Sequence, residues 1–219
     1  MSTRTSRIQR PQEQPAAPPT KRVARGDDRA LLTAYLEQFQ RLCADSEPWL
    51  SQLIAVKELL VSASRAGRKT IVVGNGGSAA IASHVAVDLT KNAGIRAINF
   101  NESDLITCFA NDYGYEQWLA KAIEAYGDSG DVLVAISSSG QSPNILNACQ
   151  AARHQRFAAV VTFSGLSADN PLRRLGDHNF WVDSRAYNLV ETIHQLWLLA
   201  IVDLIVGRAE YPVSVTSDQ

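Results

Sequence analysis

From Gly67 onward the chain alternates short β-branched apolar runs with helical patterns, and two of the junctions are turns dense in glycine and serine. The runs at 70–73, 96–100, 132–136, 158–163 and 179–182 read as strands, with helical spacing between them. Strands joined by helical crossovers make a parallel sheet covered on both faces, and such sheets bind ligands at the carboxyl ends of their strands. Two junctions fall at such ends: Gly74-Asn75-Gly76-Gly77-Ser78 and Ser137-Ser138-Ser139-Gly140-Gln141-Ser142. Each opens a helix, so each offers unpaired N–H groups at the positive end of a helix dipole. Glycines let the backbone approach a ligand closely, and hydroxyls add donors without charge. The pair reads as a clamp for one small phosphate monoester.

The first turn has a competing reading, because Gly74-x-Gly76-x-x-Ala79 formally fits a dinucleotide-binding fingerprint. A dinucleotide site wants an acidic residue closing the second strand about 20 residues on. Here the second run ends Asn99-Phe100-Asn101, and the second turn carries four hydroxyls that such a site does not use. No nucleotide cofactor is expected, and a structural turn without ligand is the remaining alternative.

At 219 residues and 46% apolar content the chain can bury one substantial core. A net charge of −1 gives no global attraction to nucleic acid or to an anionic membrane, so neither is an expected partner. Cys43, Cys108 and Cys149 are widely spaced, which suggests neither a disulfide framework nor a metal motif. No apolar stretch is expected to approach the roughly 20 residues needed to span a bilayer. The N-terminus lacks the apolar segment of a signal peptide, and the expected location is the cytoplasm.

Residues 1–27 contain almost no large apolar side chains and read as a disordered leader bearing Arg4, Arg7, Arg10, Lys21, Arg22 and Arg25. Residues 28–210 read as a single domain, followed by a tail at 211–219. Within it, 28–67 form a pair of helices divided by Pro48, the second with more apolar surface than one contact face needs, and both are expected to pack on a second subunit as well as on the core.

His84 and Asp88 stand at i and i+4 on the helix leaving the first turn, and Glu191 and His194 at i and i+3 on the long final helix. Such pairs can bind a divalent metal or divide proton transfer between base and acid, and they are equally the pattern of an ordinary intrahelical hydrogen bond. Asn111-Asp112, in a polar turn before an aromatic-bearing helix, can bind sugar hydroxyls or act simply as a cap.

Taken in order, these motifs over about residues 30–207 resemble the SIS (sugar isomerase) domain family, and within it the phosphoheptose isomerases. The resemblance implies an α/β fold, a flavodoxin-like three-layer αβα sandwich with a five-stranded parallel sheet. It also implies N-terminal helices bundled between subunits and a homotetramer with sites at subunit interfaces. It assigns substrate binding to Asn75, Gly76, Gly77, Ser78, Asn111, Asp112, Ser137, Ser138, Ser139 and Ser142. It points to Asp88, Glu191 and His194 as catalytic, and to His84, Asp88, Glu191 and His194 as holders of a divalent metal, with zinc the expected ion. The activity implied is aldose-ketose isomerisation of a phosphosugar such as sedoheptulose 7-phosphate through a cis-enediol. The alternative is a non-catalytic phosphosugar-binding or protein-interaction module. Three departures bear on that choice: Asp88 stands where the family has Glu, Glu191 where it has Gln, and Leu199 where it has a second histidine.

Overall fold

The computed structural model describes residues 27–209. The leader and the tail, apart from Asp27, lie outside them. The chain divides into two units, 1–37 and 38–219, with helix α1 (Asp28–Ala44) running across the boundary. In the first unit Leu31, Leu32, Tyr35 and Leu36 are all exposed.

In the second unit, a one-turn 3-10 segment (Glu47–Trp49) containing Pro48 leads into α2 (Leu50–Arg65), which stops where Gly67 takes a φ of 74°. There follow β1 (Thr70–Val73), α3 (Gly77–Lys91), β2 (Ala97–Ile98), α4 (Ser103–Tyr113) and α5 (Trp118–Tyr126). The chain then forms β3 (Val132–Ser137), α6 (Pro143–His154), β4 (Ala159–Ser164), β5 (His178–Trp181) and α7 (Tyr187–Val206). All five predicted strands are present; the second is shorter than its apolar run because only two of its residues pair with β1.

The sheet is parallel throughout, in the order β2-β1-β3-β4-β5. Alternation of side chains splits its core in two. Val72, Val134, Ile136, Val161 and Phe163 face a layer of α2, α3 and α7. Ile71, Val73, Leu133, Ala135 and Val160 face α5 and α6, with α4 partly packed on the same side. This is the expected three-layer αβα sandwich. At the amino edge of β1 and β3, Lys69 Nζ meets the fully buried Asp131 at 2.6 Å. The opposite, carboxyl edge is left to the Gly- and Ser-rich turns. β1 and β3 are neighbours even though β2 intervenes in sequence, so the crossovers leave them in opposite directions and the sheet has its switch point there.

Two expectations need correction here. Asn111 and Asp112 lie in the last turn of α4, because the helix begun at Ser103 runs on to Tyr113. The final helix is, after all, long and apolar enough to cross a membrane, with a mean hydropathy of 1.8, because its apolar pattern begins at Tyr187 and continues for 20 residues. Its composition also suits a core helix: Leu189, Val190, Ile193, Trp197, Leu198, Ile201 and Val202 are buried against the sheet.

His194 belongs to that buried stripe. Its Nε2 donates to the Ser164 carbonyl at 3.0 Å, its Nδ1 is buried with no partner among the described residues, and Phe163 meets the ring edge-on. Loss of hydration pushes its pKa down from 6.5 to about 4, against the smaller opposing effect of the Ser164 hydrogen bond. The fold therefore favours the neutral ring. This contribution is complete above the unfolded pKa and is lost as pH falls from about 6.5 through about 4, to a total of about 3 kcal/mol. Urea unfolding between pH 7 and pH 4 should show a shallower loss of stability in His194→Gln than in the parent chain; parallel curves would contradict the assignment.

Candidate functional site

The two turns meet because β1 and β3 pair in register, Val73 opposite Ala135, and each strand feeds its turn at the same edge. After β1, Gly74 is packed so closely on Ser78 that a Cβ would strike the Ser78 backbone, and Gly76 adopts a φ of 54°. Only glycine meets both demands comfortably. The amides of Gly77 and Ser78, at the start of α3, lack intrahelical acceptors, as first-turn amides do.

After β3, Gly140 turns the chain at a φ of 64°, braced by Asn170, and Ser142 with Pro143 starts α6. Ser142 makes no capping bond to its own helix. Its Oγ instead accepts from Ser137 Oγ at 3.2 Å, which leaves its own proton for another acceptor. Ser138 Oγ is buried and has no hydrogen-bond partner among the described residues. Such an orphan hydroxyl is uncommon in a native fold and marks a place where a ligand acceptor fits.

Together the turns form a cup of about 170 Å³ lined by Asn75, Ser78, Ser137, Ser138, Ser139 and Ser142, closed by Tyr187 and Glu191 of α7. A second hollow of about 410 Å³ is lined by Gly77, Ala80, His84, Glu191, Thr192 and Gln195 among others. Glu191 lines both. Its carboxylate lies directly on the start of α3, so that a methyl group at Gly77 would overlap it. The helix dipole favours a carboxylate there.

An amide pair ties the turns together. Asn75 Nδ2 donates to Asn144 Oδ1 at 2.9 Å, and Asn144 Nδ2 returns a bond to Asn75 Oδ1 at 2.8 Å. Tyr115 adds a longer contact from its hydroxyl to Asn75 Oδ1, at 3.4 Å. Asn144 and Tyr187 were not among the residues singled out from sequence.

In the larger hollow, His84 is held from both sides. The Gln195 amide nitrogen faces Nδ1 at 3.1 Å, and Nε2 lies 3.3 Å from Asp88 Oδ2. With the amide donating to Nδ1, the ring proton sits on Nε2 and points at Asp88. Asp88 reaches the hollow through His84 and does not line it. Gln195 was also missed; only its place one residue beyond His194 hints at it, because one step along a helix rotates a side chain by about 100°.

The structure thus gathers Asn75, Gly77, Ser78, Ser137, Ser138, Ser139, Ser142, Glu191 and His84, with Gly76 shaping the first turn. It does not bring His194 to either hollow, since that side chain is spent in the core. Asn111 and Asp112 are exposed, bonded to each other at 2.9 Å, and line neither. Leu199 packs partly buried against the core. Among the described residues no three His, Cys, Asp or Glu side chains converge as a metal cluster, so the set His84, Asp88, Glu191 and His194 does not fit one ion within this chain.

A family model described as the SIS domain matches residues 34–165. Phosphoheptose isomerase of Fusobacterium nucleatum is 32% identical over 181 residues, covering 79% of this chain and 92% of that protein. A Campylobacter jejuni phosphoheptose isomerase is 31% identical over 179 residues, covering 77% and 93%. The solved phosphoheptose isomerase of Neisseria gonorrhoeae superposes with a TM-score of 0.76 at 27% identity, over 82% of this chain and 99% of that one. That of Francisella tularensis gives 0.76 at 26%, over 84% and 100%. With a serine cup at the switch point of the sheet and kinship along most of its length, this chain belongs to the SIS domain family, among relatives that are phosphoheptose isomerases.

Proposed function

We propose that this chain is a phosphosugar isomerase that interconverts an aldose phosphate and a ketose phosphate such as sedoheptulose 7-phosphate through a cis-enediol. The observation that carries the reading is the position of Glu191, which borders both the cup and the larger hollow. The cup, at about 170 Å³, suits a phosphate group, and the adjoining 410 Å³ falls in the usual range for small-ligand sites. A phosphate anchored by the serine hydroxyls and the starts of α3 and α6 lays the sugar carbons along the Glu191 carboxylate.

Glu191 removes the proton from the carbon beside the carbonyl and returns it to the adjacent carbon. Asp88, committed to His84, orients that imidazole and is not the base. His84 exchanges its Gln195 bond for a sugar hydroxyl, takes that proton on Nδ1 while Asp88 faces the imidazolium so formed, and returns it to the neighbouring sugar oxygen. The names of the curated relatives support isomerisation over the non-catalytic alternative. In deuterium oxide the wild-type protein should incorporate deuterium beside the carbonyl of sedoheptulose 7-phosphate, and Glu191→Gln should lower turnover by about 10²- to 10⁴-fold. Full activity in that variant would remove Glu191 from the mechanism, and saturable binding without exchange by the wild type would support the non-catalytic module.

The same reading includes a homotetramer in a reducing cytoplasm. Its support is the apolar surface left open on one chain: Leu31, Leu32 and Leu36 are exposed on α1, and Leu50, Leu53, Ile54, Ala200 and Leu204 line a hollow of about 560 Å³ between α2 and α7. All three thiols are unpaired, and burial pushes that of Cys149 up to about 12. Light scattering should give four times the 23.9 kDa chain mass, and a monomer at micromolar concentration would contradict the assembly.

A further inference from the structure

We infer that Asn144 is a positioning residue, whose side chain acts through Asn75 to hold the two turns at the spacing that one bound phosphate needs. The inference rests on the phosphate reading of the cup and adds to it a residue that touches no substrate.

Asn144 is the second residue of α6 and is 1% exposed. A buried primary amide must find partners or forfeit their hydration, and here a single residue, 69 positions away, satisfies Oδ1 and one Nδ2 proton together. The pair is reciprocal, so it fixes both the distance and the rotation of the two amides. Asn75 stands in the turn before α3 and Asn144 in the first turn of α6, so the link joins the two helix starts that flank the cup.

Two consequences follow for the ligand. The Asn75 side chain is held against Asn144, and only its second Nδ2 proton remains to be offered to a phosphate oxygen, in a fixed direction. The orphan Ser138 hydroxyl and the Ser142 hydroxyl sit on the Asn144 side of the link, whereas the Gly77 and Ser78 amides sit on the Asn75 side. Without the link each half keeps its donors but is free to drift from the other. Losing two hydrogen bonds in a water-poor setting corresponds to roughly tenfold in affinity once part of the loss is recovered by relaxation.

The test is a double-mutant cycle read by calorimetric titration of the full-length protein with inorganic phosphate. Asn144→Ala should weaken phosphate binding about tenfold in the wild-type background and less than twofold in an Asn75→Ala background, because Asn144 acts only through Asn75. Losses that multiply in the double variant, or an Asn144→Ala protein that binds as tightly as the parent, overturn the proposal. Asn144→Ser keeps a small polar group in the buried position; it replaces the alanine variant if that does not fold, and is judged by the same criterion. A parent protein that binds no phosphate would overturn the phosphate reading itself, an outcome distinct from binding that is intact yet indifferent to Asn144.

Discussion

The site hangs on contact between two segments that sequence keeps 69 residues apart, the reciprocal amide pair of Asn75 and Asn144. Pairing of β1 with β3 brings the turns to the same edge, but a strand pair sets only the spacing of backbones. The amide pair sets the spacing of the helix starts. It does so with neutral groups, which is apt beside a dianion: a buried carboxylate would repel the ligand, and a buried cation would carry a desolvation cost of its own.

Charge is concentrated in one residue. Glu191 rests on the start of α3, where the dipole stabilises it, and Gly77 is the residue that permits so close an approach. A bound phosphosugar adds two further negative charges nearby. The donors that balance them are uncharged: first-turn amides, the Ser138 and Ser142 hydroxyls, and the Asn75 amide. Their value depends on being fixed in direction and shielded from water, since a mobile hydroxyl is no better than a water molecule.

Much of this was legible in the sequence, for local reasons. β-branched runs, Gly- and Ser-rich turns and helical spacing all act within a few residues of themselves, so the strands, both turns and the starts of α3 and α6 could be placed. Asn144 and Gln195 could not, because their roles come from partners 69 and 111 positions away. His194 shows the same limit from the other side. Its spacing from Glu191 put both on one helix, yet the rotation of α7 against the sheet sends the imidazole to Ser164 and presents Gln195 to the hollow. Asn111-Asp112 looked like a turn because its residues favour turns; the apolar face of α4, with Leu105, Ile106 and Phe109 packed inward, carries the helix past them.

Amide chemical shifts recorded while a phosphate monoester is titrated into nitrogen-15-labelled protein address the convergence of the two turns most directly. The account requires the amides of Gly76, Gly77 and Ser78 to move together with those of Ser138, Ser139 and Asn144, along curves that share one dissociation constant. Movement confined to one turn, or two curves with different midpoints, would mean that the turns do not serve a single ligand.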